Sequence, residues 1–263
     1  MFKDEHNQLK GINCVILGLF IMIVINSIVG IGTNGILAVI FKDVTNGLQP
    51  DDILMIDMIA LGSGALLSIA NILGPLLTWK QYLKQDIKAM GIKPFNIQQA
   101  LLGALSAAMI VLLPYLYALF LHPQAIIKGE MDVMTVALIL MSSINSATSV
   151  YFGKGYLMGC MRNTHKFWLV LLIPVLVEIV FYQTGVALLA INILTSLACG
   201  LMYMKTNDLS GALAFRLVFS LLSGLLALNS YDVYIMVMEC VLCVGVCLYY
   251  YDGKHSKLMM EED

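Results

Sequence analysis

The chain has 263 residues, 60% of them hydrophobic and 12% charged, with a mean hydropathy of +0.86 and a formal net charge of -2. A soluble domain carries about a quarter charged residues, so the composition excludes an ordinary water-soluble globule and points to an integral membrane protein. No basic stripe remains for nucleic acid once the loop lysines are assigned to membrane topology, and six cysteines lying almost all in apolar segments exclude a disulfide-stapled secreted scaffold.

The first ten residues are too charged, and the run after them too long, for a cleaved signal peptide, so Ile12 is expected to open a mature first span. A span needs about 20 mainly apolar residues. By that measure the chain divides into eight, with cores at Ile12–Gly32, Ile53–Thr78, Ile97–Leu121, Val133–Phe152, Phe167–Val186, Ala187–Met204, Leu209–Leu228 and Val233–Tyr251. Ile36 to Phe41 is expected to extend the first helix beyond a break at Gly30, Gly32 and Gly35, and only Gln183-Thr-Gly185 separates the fifth span from the sixth. There is no internal repeat and no soluble insert, so residues 1–263 read as one all-α membrane domain, a polytopic helical bundle.

Short loops rich in Lys and Arg stay on the cytoplasmic side. In an eight-span chain Lys3, Lys10, Lys80, Lys84, Lys88, Lys93, Arg162, Lys166, Lys205, Lys254 and Lys257 all fall on one side, while the other receives Lys42 and Lys128 together with Asp43, Asp51, Asp52, Glu130 and Asp232. Both termini are therefore expected in the cytoplasm.

Polar residues inside spans are the candidates for function, because a charge in hydrocarbon must face protein, a counter-charge or water. Arg216 stands in the middle of the seventh span and Glu178 near the middle of the fifth. Pairing them would lower both insertion penalties. Asp57 and Glu239 read first as neutral acids hydrogen-bonded to backbone, with a functional role as the alternative. Ser142, Asn145, Ser146 and Ser149 recur on one face of the fourth span, which suits either close helix packing or a polar cavity wall. Gly155 and Gly159 form a G-x-x-x-G contact surface. Cys240, Cys243 and Cys247 share a helical face, for which small-residue packing is a better account than metal ligation. No H-E-x-x-H, phosphate loop or G-x-S-x-G is present, and His6, His122, His165 and His255 lie in tails or at span ends, so neither a metal nor a cofactor is expected.

From the sixth to the seventh span the stretch Leu197-Ala-Cys-Gly-Leu-Met-Tyr-Met-Lys-Thr-Asn-Asp-Leu-Ser-Gly-Ala-Leu-Ala-Phe-Arg-Leu-Val-Phe-Ser-Leu-Leu-Ser-Gly224 resembles the CPBP family, the CAAX-protease and bacteriocin-processing (Abi) membrane proteins. Lys88-Ala-Met-Gly-Ile-Lys-Pro94 is similar to a loop of that family, and Gly153-Lys-Gly-Tyr-Leu-Met-Gly-Cys-Met-Arg162 to the tail of its E-E-x-x-F-R-G motif, with Trp168 on a frequent tryptophan. The resemblance covers a core at about 85–228.

It implies a hydrolytic site in which paired glutamates and histidines from later spans activate water. In this chain the glutamate pair falls on Ser149 and Val150, and the motif arginine on Lys154. The phenylalanine and histidine of the second motif fall on Glu178 and Tyr182, and the later histidine and asparagine on Arg216 and Ser220. Serine and valine cannot deprotonate water at neutral pH, so the resemblance implies a pseudo-protease with no catalytic residues at the motif positions. Its cavity would be flanked by Asn145, Ser149, Glu178, Tyr182, Arg216 and Ser220.

The leading expectation is a protein of the bacterial plasma membrane that binds a hydrophobic peptide or a membrane-protein partner, in bacteriocin immunity, processing or export. One alternative is an active CAAX-type intramembrane endopeptidase with Glu178 as base, although an adjacent arginine would weaken that base. Another is a small-molecule or ion transporter dependent on Asp57 or Glu239, against which stands the lack of an inverted repeat.

Overall fold

Long apolar runs with self-satisfied backbones dictate helices, since nothing in hydrocarbon can hydrogen-bond a free peptide group. The computed structural model describes residues 11–40, 50–84, 87–126, 131–162, 165–181, 188–226 and 232–251, and they are helical almost throughout. Among the described residues eight helices form the bundle: α1 (Gly11–Ile40), α2 (Pro50–Thr78), α3 (Ile97–Leu121), α4 (Val133–Val150), α5 (Phe167–Phe181), α6 (Leu189–Thr206), α7 (Ser210–Leu225) and α8 (Val233–Tyr250).

Two of these continue past their α-helical limits. α2 runs into a π-turn at Trp79–Leu83, and α4 runs through a π-helical stretch at Tyr151–Met158 to end at Met161. Among the described residues six helices are long and apolar enough to cross a membrane, and α5 and α7 are apolar but shorter. The chain is an integral membrane protein with an all-α bundle.

Two sequence expectations need correction. α1 is unbroken across Gly30, Gly32 and Gly35, where an added Cβ would meet nothing within 4 Å, so these glycines lie on open surface and interrupt no backbone hydrogen bonds. The fourth span does not stop at Phe152, because the π-helical stretch carries it to Met161 and takes Lys154 into the protein interior. The Gln183-Thr-Gly185 boundary lies outside the described residues.

Helix ends are fixed by side chains. Asn96 accepts from the Gln98 and Gln99 N–H groups at the start of α3, Asp132 from Thr135 N–H at α4, and Asp232 from Tyr234 and Ile235 N–H at α8. Asn207, at φ 52°, turns the chain from α6 into α7, and Leu209 N–H then donates to Gly91 O.

α6 is the central helix: 56% of its most apolar stretch is buried, against 6% for α2. α3 and α7 meet backbone to backbone, since a Cβ on Gly103 would strike the Gly211 carbonyl. Around them Tyr156, Met158, Met202, Tyr203, Phe215 and Leu171 form a closed core, while Phe20, Ile28, Ile31, Leu66, Leu101 and Val241 face outward as lipid-facing residues do.

One end of the bundle gathers the basic loops. Arg162 hydrogen-bonds Asn207, Lys205 donates to Tyr249 O, and Phe167 and Trp168 pack on Tyr251, so the ends of α4, α6 and α8 and the start of α5 lie together. At the other end His122 Nε2 meets Asp232 Oδ2 at 2.9 Å, joining the end of α3 to the start of α8.

Candidate functional site: a buried lysine–glutamate pair

The interior charges come from three elements around α6. α5 supplies Glu178, the π-helical stretch after α4 supplies Lys154, and α7 supplies Arg216. A π-turn accommodates an extra residue and re-aims the side chains it carries. Gly153 sits in that stretch beside the carboxylate, where a Cβ would collide with Glu178 Oε1. The missing side chain is what lets α5 approach.

Lys154 Nζ lies 2.7 Å from Glu178 Oε1 and donates a second hydrogen bond of 2.7 Å to Ser196 Oγ on α6. Lys154 is 1% exposed and Glu178 7%. Sequence reasoning paired Glu178 with Arg216, and the structure corrects this: the salt bridge of Glu178 is made with Lys154. Arg216 contributes to the electrostatics of the carboxylate but directs its NH1 to Thr195 Oγ1 at 2.7 Å. The physical reason is reach: the widened turn places an ammonium directly against α5, whereas the guanidinium meets α6 first.

Arg216 Nε is buried without a hydrogen-bond partner. Such an orphaned donor is costly, and more so on a cationic group. Two cations share one carboxylate in this cluster, so it carries an uncompensated positive charge and a free donor. A hydrogen-bond acceptor with negative charge is its chemical complement.

The other candidates divide. Ser149 is buried and donates to Ser146 O at 2.7 Å, so its hydroxyl is held by its own helix. Val150 is buried among apolar side chains. Asn145 Oδ1 accepts from Asn71 Nδ2 at 3.1 Å, a bond between α4 and α2 that ties helices together. Ser220 is half-buried one turn beyond Arg216 on α7. Tyr182 lies outside the described residues.

Asp57 is half-buried on α2 and Glu239 buried on α8. Gly155 and Gly159 both face packed neighbours: a Cβ would sit 3.1 Å from Leu209 Cδ1 at the first and 3.0 Å from the Trp79 ring at the second. Cys247 donates to Leu194 O and Cys199 to Ala212 O, so both thiols bond across helices. Among the described residues no group of three or more His, Cys, Asp or Glu side chains is arranged to hold a metal ion.

Sequence reasoning missed Thr195 and Ser196 altogether, although adjacent hydroxyls in an apolar helix were a usable signal. It valued Lys154 only as the occupant of a motif position. Comparison with protein-family models and with curated proteins finds no match to this chain.

Proposed function

We propose that the chain is a non-catalytic, CPBP/Abi-like membrane protein that binds a hydrophobic peptide or membrane-protein partner against the Arg216 face of α7, in the service of peptide immunity, processing or export. The observation that carries this reading is the Lys154–Glu178–Ser196 network. A carboxylate held at 2.7 Å by a buried ammonium is a poor general base, because removing its charge would strand the lysine. Ser149 and Val150, at the positions where the resemblance calls for glutamates, supply no base either.

What the cluster does offer is recognition. The unpartnered Arg216 Nε and the surplus positive charge suit a peptide carbonyl or a terminal carboxylate. Lysine-rich loops at one end of the bundle favour cytoplasmic termini on the rule that governs short loops.

The test uses the purified protein in nanodiscs with a panel of hydrophobic peptides, each with a free or an amidated C-terminus and a photoreactive side chain. Crosslinking to α7 that weakens with Arg216→Leu, with peptides recovered intact by mass spectrometry, supports the reading. Peptide cleavage that disappears in Glu178→Gln overturns it in favour of an intramembrane endopeptidase.

A further inference from the structure

A second polar site lies far from the buried pair, at the lysine-rich end of the bundle. Between α3, α6 and α8 opens a cleft of about 400 Å³, lined by Lys93, Asn96, Lys205, Asp208 and Tyr249 among others. We propose that this cleft holds the phosphate group of an anionic phospholipid.

The first argument is charge. Lys93 and Lys205 are both exposed and line the cleft. Lys205 Nζ is held at 3.0 Å by Tyr249 O and lies 4.8 Å and 5.5 Å from the ring centroids of Tyr249 and Tyr250, so its position is set before any ligand arrives. Asp208 is the acid in the lining. It is buried, and its Oδ1 accepts from Ser210 N–H at 2.7 Å. Two cations thus face one carboxylate that is already engaged. The Asn96 side chain already serves the Gln98 and Gln99 N–H groups, so recognition rests on the lysines and not on the start of α3.

The second argument is depth. Trp168, Tyr249 and Tyr251 are exposed at this end, and Trp168 stacks on Tyr251. Exposed Trp and Tyr rings beside lysines mark the headgroup level of a bilayer. The cleft therefore lies where lipid phosphates lie. Leu102 forms its apolar edge, and Leu101, Leu105 and Leu248 are exposed on the same two helices, α3 and α8. A phospholipid can seat its phosphate between the lysines while its acyl chains cover these leucines. A free phosphate ion would satisfy the charge alone.

The test is lipid titration of the purified protein in detergent, read by native mass spectrometry of the folded species. Phosphatidylglycerol should bind in preference to phosphatidylcholine, and Lys93→Gln with Lys205→Gln should weaken it about thirtyfold, on about 1 kcal/mol per cation near the surface. Lys93→Arg with Lys205→Arg should retain binding, and Lys80→Gln, an exposed lysine at the same end but outside the lining, should leave it unchanged. Equal binding of the two lipids, or a loss in Lys80→Gln as large as in the double variant, would overturn the proposal. So would displacement of phosphatidylglycerol by equimolar inorganic phosphate, which would identify a soluble phosphate ligand.

Discussion

Replacing Lys154 with Met removes the ammonium and leaves Glu178 buried at 7% exposure among apolar helices. At the observed 2.7 Å separation the direct attraction is roughly 6 kcal/mol for an effective dielectric constant of about 20. Desolvation of two ions, at several kcal/mol each, offsets most of it, so the pair contributes little net stability. Breaking it is another matter, because the surviving ion keeps its desolvation cost and loses its partner; about 3–5 kcal/mol is expected. Lys154→Met and Glu178→Leu should therefore each destabilise strongly. The double variant should recover most of the loss and approach or exceed the wild type. The assay is thermal unfolding of all four proteins in one detergent, combined as a double-mutant cycle. Additive losses, or a Lys154→Met variant as stable as Lys80→Gln, would refute the argument that the pair is closed and mutually dependent.

Gly103→Ala should destabilise by about 1–3 kcal/mol or prevent assembly, because its methyl group meets the Gly211 carbonyl and backbone cannot rotate aside; an unchanged melting point would contradict the close approach of α3 and α7. Asn96→Ala should cost about 1 kcal/mol through the loss of two capped N–H groups, and Asn96→Asp should retain most of it, measured in the same unfolding assay. Burial pushes the Asp232 carboxyl up, but the His122 ring, the Ile235 N–H, the His122 charge and the Tyr234 N–H together outweigh it and hold it below the ordinary carboxylate value. A depressed folded pKa gives stability that is present above the unfolded value and lost as pH falls through the folded one. Acidification below about pH 4 should therefore lower the melting point less steeply in Asp232→Asn than in the wild type; identical acid limbs would refute this.

Much of the fold was legible because the bilayer allows few answers. Uninterrupted apolar runs fixed the existence and approximate ends of the helices, and the spans expected to open at Ile97 and Val233 begin at those residues in α3 and α8. The buried Glu178 and the half-buried Arg216 were also legible, since each stands alone in an apolar run. Their partners were not. Lys154 follows Gly153 and precedes Gly155, a pattern that reads as the start of a loop, and nothing local announces that a π-turn will carry it inward. Thr195 was hidden for a different reason: it forms a bond to a residue 21 positions away, and a single sequence carries no record of spatial neighbours.

A π-helical stretch is, in chain terms, one residue too many for the turn that holds it. Deleting a single residue between Tyr151 and Met158 would let that segment relax to ordinary α-helix, turning everything on one side of it by about 100° and shifting it by about 1.5 Å. Deletions within helices usually ruin a protein, yet here one would spare the backbone hydrogen bonds and swing the ammonium away from its carboxylate. The length of this segment, more than the identity of any residue in it, is therefore what natural variation must preserve if the buried pair matters.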